Sequence, residues 1–226
     1  MIRKVNEEEN FYYRNKLYPL QDEVLAKLND ELFYLTGGTC LSRFYYNHRF
    51  SEDLDFFFDG DNNPLSQFED EFIGFIKKIK KFYDIEVTVN GSTFKRAFCK
   101  HNDIELKLEF IYEPYPRIGD VVREANYFID TKENIAVNKL TAIYTRKTVK
   151  DYFDLYFLLR DYSLVDLLEK TKIKIIPPAF EDLIIALKET IFEGEVLTNK
   201  SYNEGEFKKF IETLIMDVLN YAKNKK

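Results

Sequence analysis

The chain has 226 residues, a formal net charge of −6, 45% hydrophobic residues and 32% charged ones. That profile fits a soluble globular chain with material for one large domain or two small lobes sharing a core. It excludes a protein that coats nucleic acid non-specifically, although a local basic groove is still possible. Two cysteines, Cys40 and Cys99, cannot make a disulfide framework, and two histidines without a CxxC leave little for a zinc site, so any metal is expected on oxygen ligands. No apolar run reaches transmembrane length, and MIRKVNEEEN carries no signal-peptide core; with free thiols, no membrane contact and a cytoplasmic location are expected.

The first periodic segment, residues 11–30, places Leu17, Leu20, Val24 and Leu28 at helical intervals. LFYLTGG then reads as an apolar strand broken by two glycines, and RFSEDLDFFF as a second strand ending in the loop DGDNNP. Helical spacing returns from Leu65 to Phe82. Strands are expected over Ile85–Val89, Phe94–Lys100 and Ile104–Tyr112. In the last, Ile104, Leu106, Leu108 and Phe110 share one face and Glu105, Lys107 and Glu109 the other. From Thr131 onward the pattern is helical, with IPPAFED (176–182) as the main interruption. The fold class expected is α+β: a mixed sheet with flanking helices over 1–130, then an α-helical lobe over 131–226 that completes an active-site cleft.

Two features of this layout carry chemistry. In a strand, residues i and i+2 project to one face, so Asp53 and Asp55 point together and Leu54 away. Two such carboxylates repel unless a cation neutralises them. Mg²⁺ suits the pair, because it takes one or two protein carboxylates and fills its shell with water and phosphate. One strand earlier, Gly37 and Gly38 lack a Cβ and let backbone N–H groups approach a phosphate, with the Thr39 hydroxyl beside them. Either feature alone is ordinary turn or strand-edge chemistry. Together they suggest a metal–phosphate site.

The stretch GGTCLSRFYYNHRFSEDLDF resembles the first motif of the AbiEii/AbiGii toxin family, in the DNA polymerase β-like nucleotidyltransferase superfamily. There a Gly-Gly or Gly-Ser follows a strand, and Asp-hydrophobic-Asp lies on the next; Gly37, Gly38, Asp53 and Asp55 occupy those positions. The resemblance extends over most of residues 33–160 and implies a nucleotidyltransferase-type sheet. A third carboxylate is usual on a neighbouring strand. Glu109 stands there, as metal ligand, as general base, or as a solvated side chain.

A second block, NKLTAIYTRKTVKDYFDLYFLLR, reads by spacing as an amphipathic helix pair with Val137, Leu140 and Tyr144 inward and an ion pair between the helices. The family's Lys-Leu-x-Ala and Asp-x-x-Asp-Leu patterns match Lys139–Ala142 and Asp151–Leu155. By that resemblance Lys139 contacts the triphosphate, Asp151 is a required carboxylate, and Asp154 orients Lys139 or Arg146. Ser51 and Arg146 complete the expected nucleotide contacts. Arg49 reaches a phosphate or pairs with Glu52 at the surface, and His48 reads as structural.

The resemblance implies transfer of a nucleotide from a nucleoside triphosphate, with Mg²⁺ or Mn²⁺ on Asp53, Asp55 and Glu109, to an RNA acceptor, the 3′ end of tRNA. It also implies a toxin role in a toxin–antitoxin or phage-defence system, with a cognate antitoxin as partner. Lys139, Arg146, Lys147 and Lys150, with Lys95, Arg96 and Lys100, are the expected RNA-facing cations. Two alternatives stand beside this: transfer to a small hydroxylated molecule such as an aminoglycoside, and a non-catalytic nucleotide- or antitoxin-binding module.

Overall fold

A computed structural model describes residues 1–28, 31–146, 148–174, 180–188 and 194–224. At its centre is a seven-stranded mixed sheet. Its strands are β2 (Phe33–Thr36), β3 (Leu54–Asp59), β4 (Asp84–Asn90), β5 (Phe94–His101), β6 (Ile104–Glu113), β7 (Val122–Glu124) and β8 (Tyr127–Ile129), in the order β4-β5-β6-β3-β2-β8-β7. The β3–β6 and β2–β8 pairs are parallel and the rest antiparallel.

Strand alternation gives the sheet two unlike faces. Leu54, Phe56 and Phe58 of β3, Leu106, Leu108 and Phe110 of β6, and Ala97 and Cys99 of β5 are fully buried on one face. Phe56 stacks on Phe110 with ring centroids 5.1 Å apart, and Phe33 meets Phe110 edge-on at 5.3 Å. Helix α4 (Leu65–Ile79) covers this face with Phe68, Phe72, Phe75, Ile76 and Ile79, the stripe that its 3.6-residue period predicts. Helix α2 (Tyr18–Leu28) packs beside it through Leu20, Val24 and Leu25. It follows α1 (Glu7–Tyr12), which Asn6 and Glu9 cap reciprocally, and a π-helical turn at Tyr13–Leu17.

The opposite face is left for the second half of the chain. Helices α5 (Lys132–Thr145) and α6 (Val149–Leu158) lie over it, followed by α7 (Leu164–Lys174), α8 (Phe180–Lys188) and α9 (Glu204–Asn224). Val137 and Leu140 of α5, and Leu155 and Leu158 of α6, are buried as the spacing predicts. The side chain of Tyr144, Lys147, and residues 29–30 and 176–179 of the sequence-predicted segments lie outside the described residues.

The helical second half also contributes a strand that periodicity does not announce. Val196–Thr198 (β9) pairs in parallel with the N-terminal strand β1 (Ile2–Lys4), joining residues almost two hundred positions apart. The glycines do not simply break a strand either. Gly37–Cys40 forms a helical turn (α3) that runs into a π-helical turn at Leu41–Tyr46, ending at Asn47 in left-handed conformation.

Candidate active site

A cleft of about 620 Å³ opens between this second sheet face and helices α5 and α6. Gly37, Gly38, Ser51, Asp53, Asp55, Glu109, Lys139, Arg146 and Asp151 all line it. The sequence-predicted residues therefore converge from α3, from β3 and the loop before it, from β6, from α5 and the residue that follows it, and from α6. Thr39 is the exception. It is buried, and its hydroxyl bonds Ser51 Oγ at 2.9 Å and donates to the Asp53 carbonyl, so its side chain braces the aspartate loop and does not face the cleft.

Register explains the first cluster. Thr36, Asp55 and Glu109 are cross-strand partners on β2, β3 and β6, and Arg96 of β5 is next in the row. Glu109 is engaged by Arg96 at 2.7 Å and by Lys107 at 3.3 Å. Lys107 also reaches Asp53 Oδ2 at 2.9 Å, and that contact, against the effect of burial, raises the lysine's pKa. Asp55 lacks such a partner: no hydrogen bond among the described residues reaches its carboxylate. Burial, then the charges of Asp53 and Glu109, push its pKa up to about 6. A centre short of positive charge fits a divalent cation. Among the described residues no three carboxylate, imidazole or thiolate groups converge into a complete cage. The fit is therefore to an ion held by one or two carboxylates and completed by phosphate and water, with Glu109 committed to Arg96 and Lys107 in the present arrangement.

Gly37 and Gly38 are glycine for reasons visible in the side chains beside them. Gly37 has φ +68, and a Cβ there would lie 2.7 Å from Asp55 Oδ2. A Cβ on Gly38 would fall 2.1 Å from an Arg49 guanidinium nitrogen. The turn is therefore shaped as much by Asp55 and Arg49 as by any ligand.

The second cluster lies on the helical wall. Lys139 Nζ sits 2.7 Å from Asp151 Oδ1 and 2.6 Å from Asp154 Oδ2. Asp151 also accepts from Arg146 at 2.7 and 3.0 Å and from Thr148 at 2.5 Å. Asp154 accepts from Arg49 at 2.7 and 3.0 Å, and His48 Nε2 lies 2.7 Å from it. Burial alone would raise Asp154, but Arg49 and Lys139 hold its carboxyl well below the usual range. Asp151 is lowered in the same way by Lys139 and Arg146.

Three expectations change here. Arg49 is neither at the surface nor paired with Glu52. It is 5% exposed and bound to Asp154, while Glu52 accepts from Tyr13. Asp154 orients Lys139 but also Arg49 and His48. Lys95 is buried against α4, pairing with Glu69 at 2.5 Å and Asn90 at 2.6 Å, because alternation sends it to the face opposite Phe94 and Arg96. Lys100 pairs with Glu86 at 2.7 Å, whereas Arg146 and Lys150 line the cleft.

Sequence reasoning also missed Asp130. It is fully buried and bonded by Thr36 at 2.6 Å and Asn134 at 2.9 Å, and burial pushes its pKa up to about 6. It ties the end of β2, where the glycine turn begins, to the start of α5. The one local signal was an Asp-Thr pair at a helix start, where Thr131 caps α5.

The mixed sheet with flanking helices, bearing two carboxylates on neighbouring strands, a Gly-Gly turn and a lysine-bearing helix across the cleft, is a nucleotidyltransferase-type fold. The chain belongs to the AbiEii family, described as nucleotidyl transferase AbiEii toxin of a type IV toxin–antitoxin system, which matches residues 20–220. A protein of Aquifex aeolicus strain VF5 is 32% identical over 157 residues, spanning 66% of this chain and 69% of the relative. Among solved structures, JHP933 from Helicobacter pylori has a TM-score of 0.60 at 21% identity, covering 99% of this chain and 96% of its own. A second H. pylori structure, a protein described as a nucleotidyltransferase, has a TM-score of 0.61 at 21% identity and covers 98% and 99%. Both show the fold. Among the described residues, no helix is long and apolar enough to cross a membrane.

Proposed function

We propose that this chain transfers a nucleotide from a nucleoside triphosphate to a hydroxyl of RNA, the tRNA 3′ end, in a Mg²⁺- or Mn²⁺-dependent reaction, as the toxin of a toxin–antitoxin pair serving phage defence. The acceptor oxygen bonds to the α-phosphorus, the bond to the bridging oxygen breaks, and pyrophosphate leaves. The observation that carries the reading is Asp55, a carboxylate raised to about 6 and lacking a described hydrogen-bond donor, in the cleft that Lys139 also lines. Asp53 and Asp55 would hold the divalent ion, with Glu109 as a third ligand once freed from both Arg96 and Lys107. The ion, when bound, supplies charge neutralisation for the triphosphate.

The protein's own groups supply position and electrostatics. The Gly37–Gly38 turn opens its backbone to the β- and γ-phosphates, with the Ser51 hydroxyl beside it. Lys139, fixed between Asp151 and Asp154, and Arg146, 57% exposed at the rim, attract phosphate oxygens. Glu109 is the adjacent acceptor for the hydroxyl proton. Lys150 and Arg146 mark the rim for the RNA backbone, and a cognate antitoxin protein is the expected partner.

The test is incubation of the protein with each α-labelled nucleoside triphosphate, Mg²⁺ and total RNA. Label should move to tRNA, and Asp53→Ala should abolish the transfer. Undiminished transfer by that variant would overturn the site assignment. Label on an aminoglycoside in place of RNA would overturn the acceptor.

A further inference from the structure

The cleft face of the sheet carries more than carboxylates. Two residues further along each strand, the charged row gives way to an apolar one: Tyr34 of β2 pairs with Phe57 of β3, Phe57 with Ile111 of β6, and Ile111 with Phe94 of β5. Phe57, Ile111 and Phe94 line the cleft and are half-buried, whereas their neighbours on the opposite face, Phe56, Phe110 and Lys95, are buried. Tyr34 is buried and braces Phe57 edge-on at 6.2 Å. The next row again carries acid: Asp59 pairs with Glu113. Glu113 lines the cleft, and among the described residues its carboxylate accepts one hydrogen bond, from the Tyr115 amide to Oε1 at 3.2 Å.

Strand geometry sets the spacing. Each row lies two residues, about 7 Å, from the next. A nucleotide whose phosphates meet the Asp53–Asp55 row would thus project its sugar and base along the sheet onto the apolar row. Aromatic faces there stack with any base. An ionised carboxylate accepts hydrogen bonds but donates none. Cytosine, adenine and guanine each present an exocyclic amino donor, whereas uracil offers carbonyl oxygens on both sides of its single N–H.

Resting on the nucleotidyltransferase reading, we infer that Phe57, Ile111 and Phe94 form the nucleobase shelf of the incoming triphosphate, and that Glu113 selects bases bearing an exocyclic amino group over uracil. A site built to bond such a donor rejects the base that lacks it more strongly than an apolar wall would.

Isothermal titration with Mg²⁺ present would compare inorganic tripolyphosphate with the four nucleoside triphosphates on the wild type, Phe94→Ala and Glu113→Gln. The expected result is that a base strengthens binding about ten-fold over tripolyphosphate, that UTP binds about ten-fold more weakly than the others, and that Phe94→Ala removes most of the base's gain without changing tripolyphosphate binding. Glu113→Gln, which swaps an acceptor-only group for an amide, should bring the four within about two-fold. If Phe94→Ala fails to fold, wild-type selectivity and Glu113→Gln decide alone. Tripolyphosphate binding as tightly as every nucleotide would overturn the shelf, and four nucleotides binding equally would overturn the selection by Glu113, while either result leaves the phosphate site standing. Nucleotide affinity unchanged in Phe94→Ala alongside weaker RNA binding would give the shelf to the acceptor and overturn the inference. Binding of neither tripolyphosphate nor nucleotide would overturn the nucleotide reading itself.

Discussion

The two carboxylate centres facing one cleft are opposites in charge balance. On the helical wall, Asp151 and Asp154 are surrounded by Lys139, Arg146, Arg49 and His48, and both carboxyls lie below their ordinary range. On the sheet, Asp53, Asp55 and Glu109 share Lys107 and Arg96, and Asp55 is pushed up to about 6. The first centre is complete without a ligand and reads as scaffold that aims Lys139. The second is electrostatically unfinished, which is the condition a cation would relieve.

The largest expected effect breaks the complete centre. Asp154→Ala leaves Arg49, 5% exposed, and His48, 1% exposed, without their carboxylate. Removing one partner of a buried pair typically costs about 3–5 kcal/mol. A fall in melting temperature of roughly 10 °C should follow for a chain of this size, read by differential scanning calorimetry.

Neutralising the other centre should do the reverse. Because folding raises the Asp55 pKa above its ordinary value, its contribution to stability is full below the unfolded pKa of about 4 and is lost as pH rises through about 6. Asp55→Asn, which stays uncharged, should therefore be more stable than the wild type at pH 8 without divalent ions. The difference should vanish below about pH 4. Chemical denaturation across that range checks the sign.

A smaller effect concerns the shared cation. Lys107 spans Asp53 and Glu109 at 2.9 and 3.3 Å, and so competes with any ion for the same oxygens. Lys107→Met should tighten Mn²⁺ binding several-fold in the absence of nucleotide, as measured by titration calorimetry.

Much of the sheet centre was legible because it obeys a local rule. Period-2 alternation alone places Asp53, Asp55 and Phe57 on one face and Leu54 and Phe56 on the other, and Ile104–Phe110 shows its buried face just as plainly. The helical wall was legible only through family likeness, since spacing by itself reads Lys139 and Asp151 as an ordinary helix pair. Arg49 was misread because its partner, Asp154, is 105 residues away, beyond any local pattern. Lys95 was grouped with Arg96 although alternation separates them, a signal that was present and not applied. The strands β1, β7, β8 and β9, of three residues each, are too short for periodicity and exist through their partners. Asp130 is held by Thr36, 94 positions away, as well as by nearby Asn134.

The contrast between the two centres is tested most directly by Mn²⁺ titration followed by electron paramagnetic resonance, comparing the wild type with Asp55→Asn and with Asp151→Asn. The account predicts that the wild type and Asp151→Asn bind the ion with similar affinity, while Asp55→Asn binds at least ten-fold more weakly. Equal binding by the wild type and Asp55→Asn, or loss of binding only in Asp151→Asn, would contradict it.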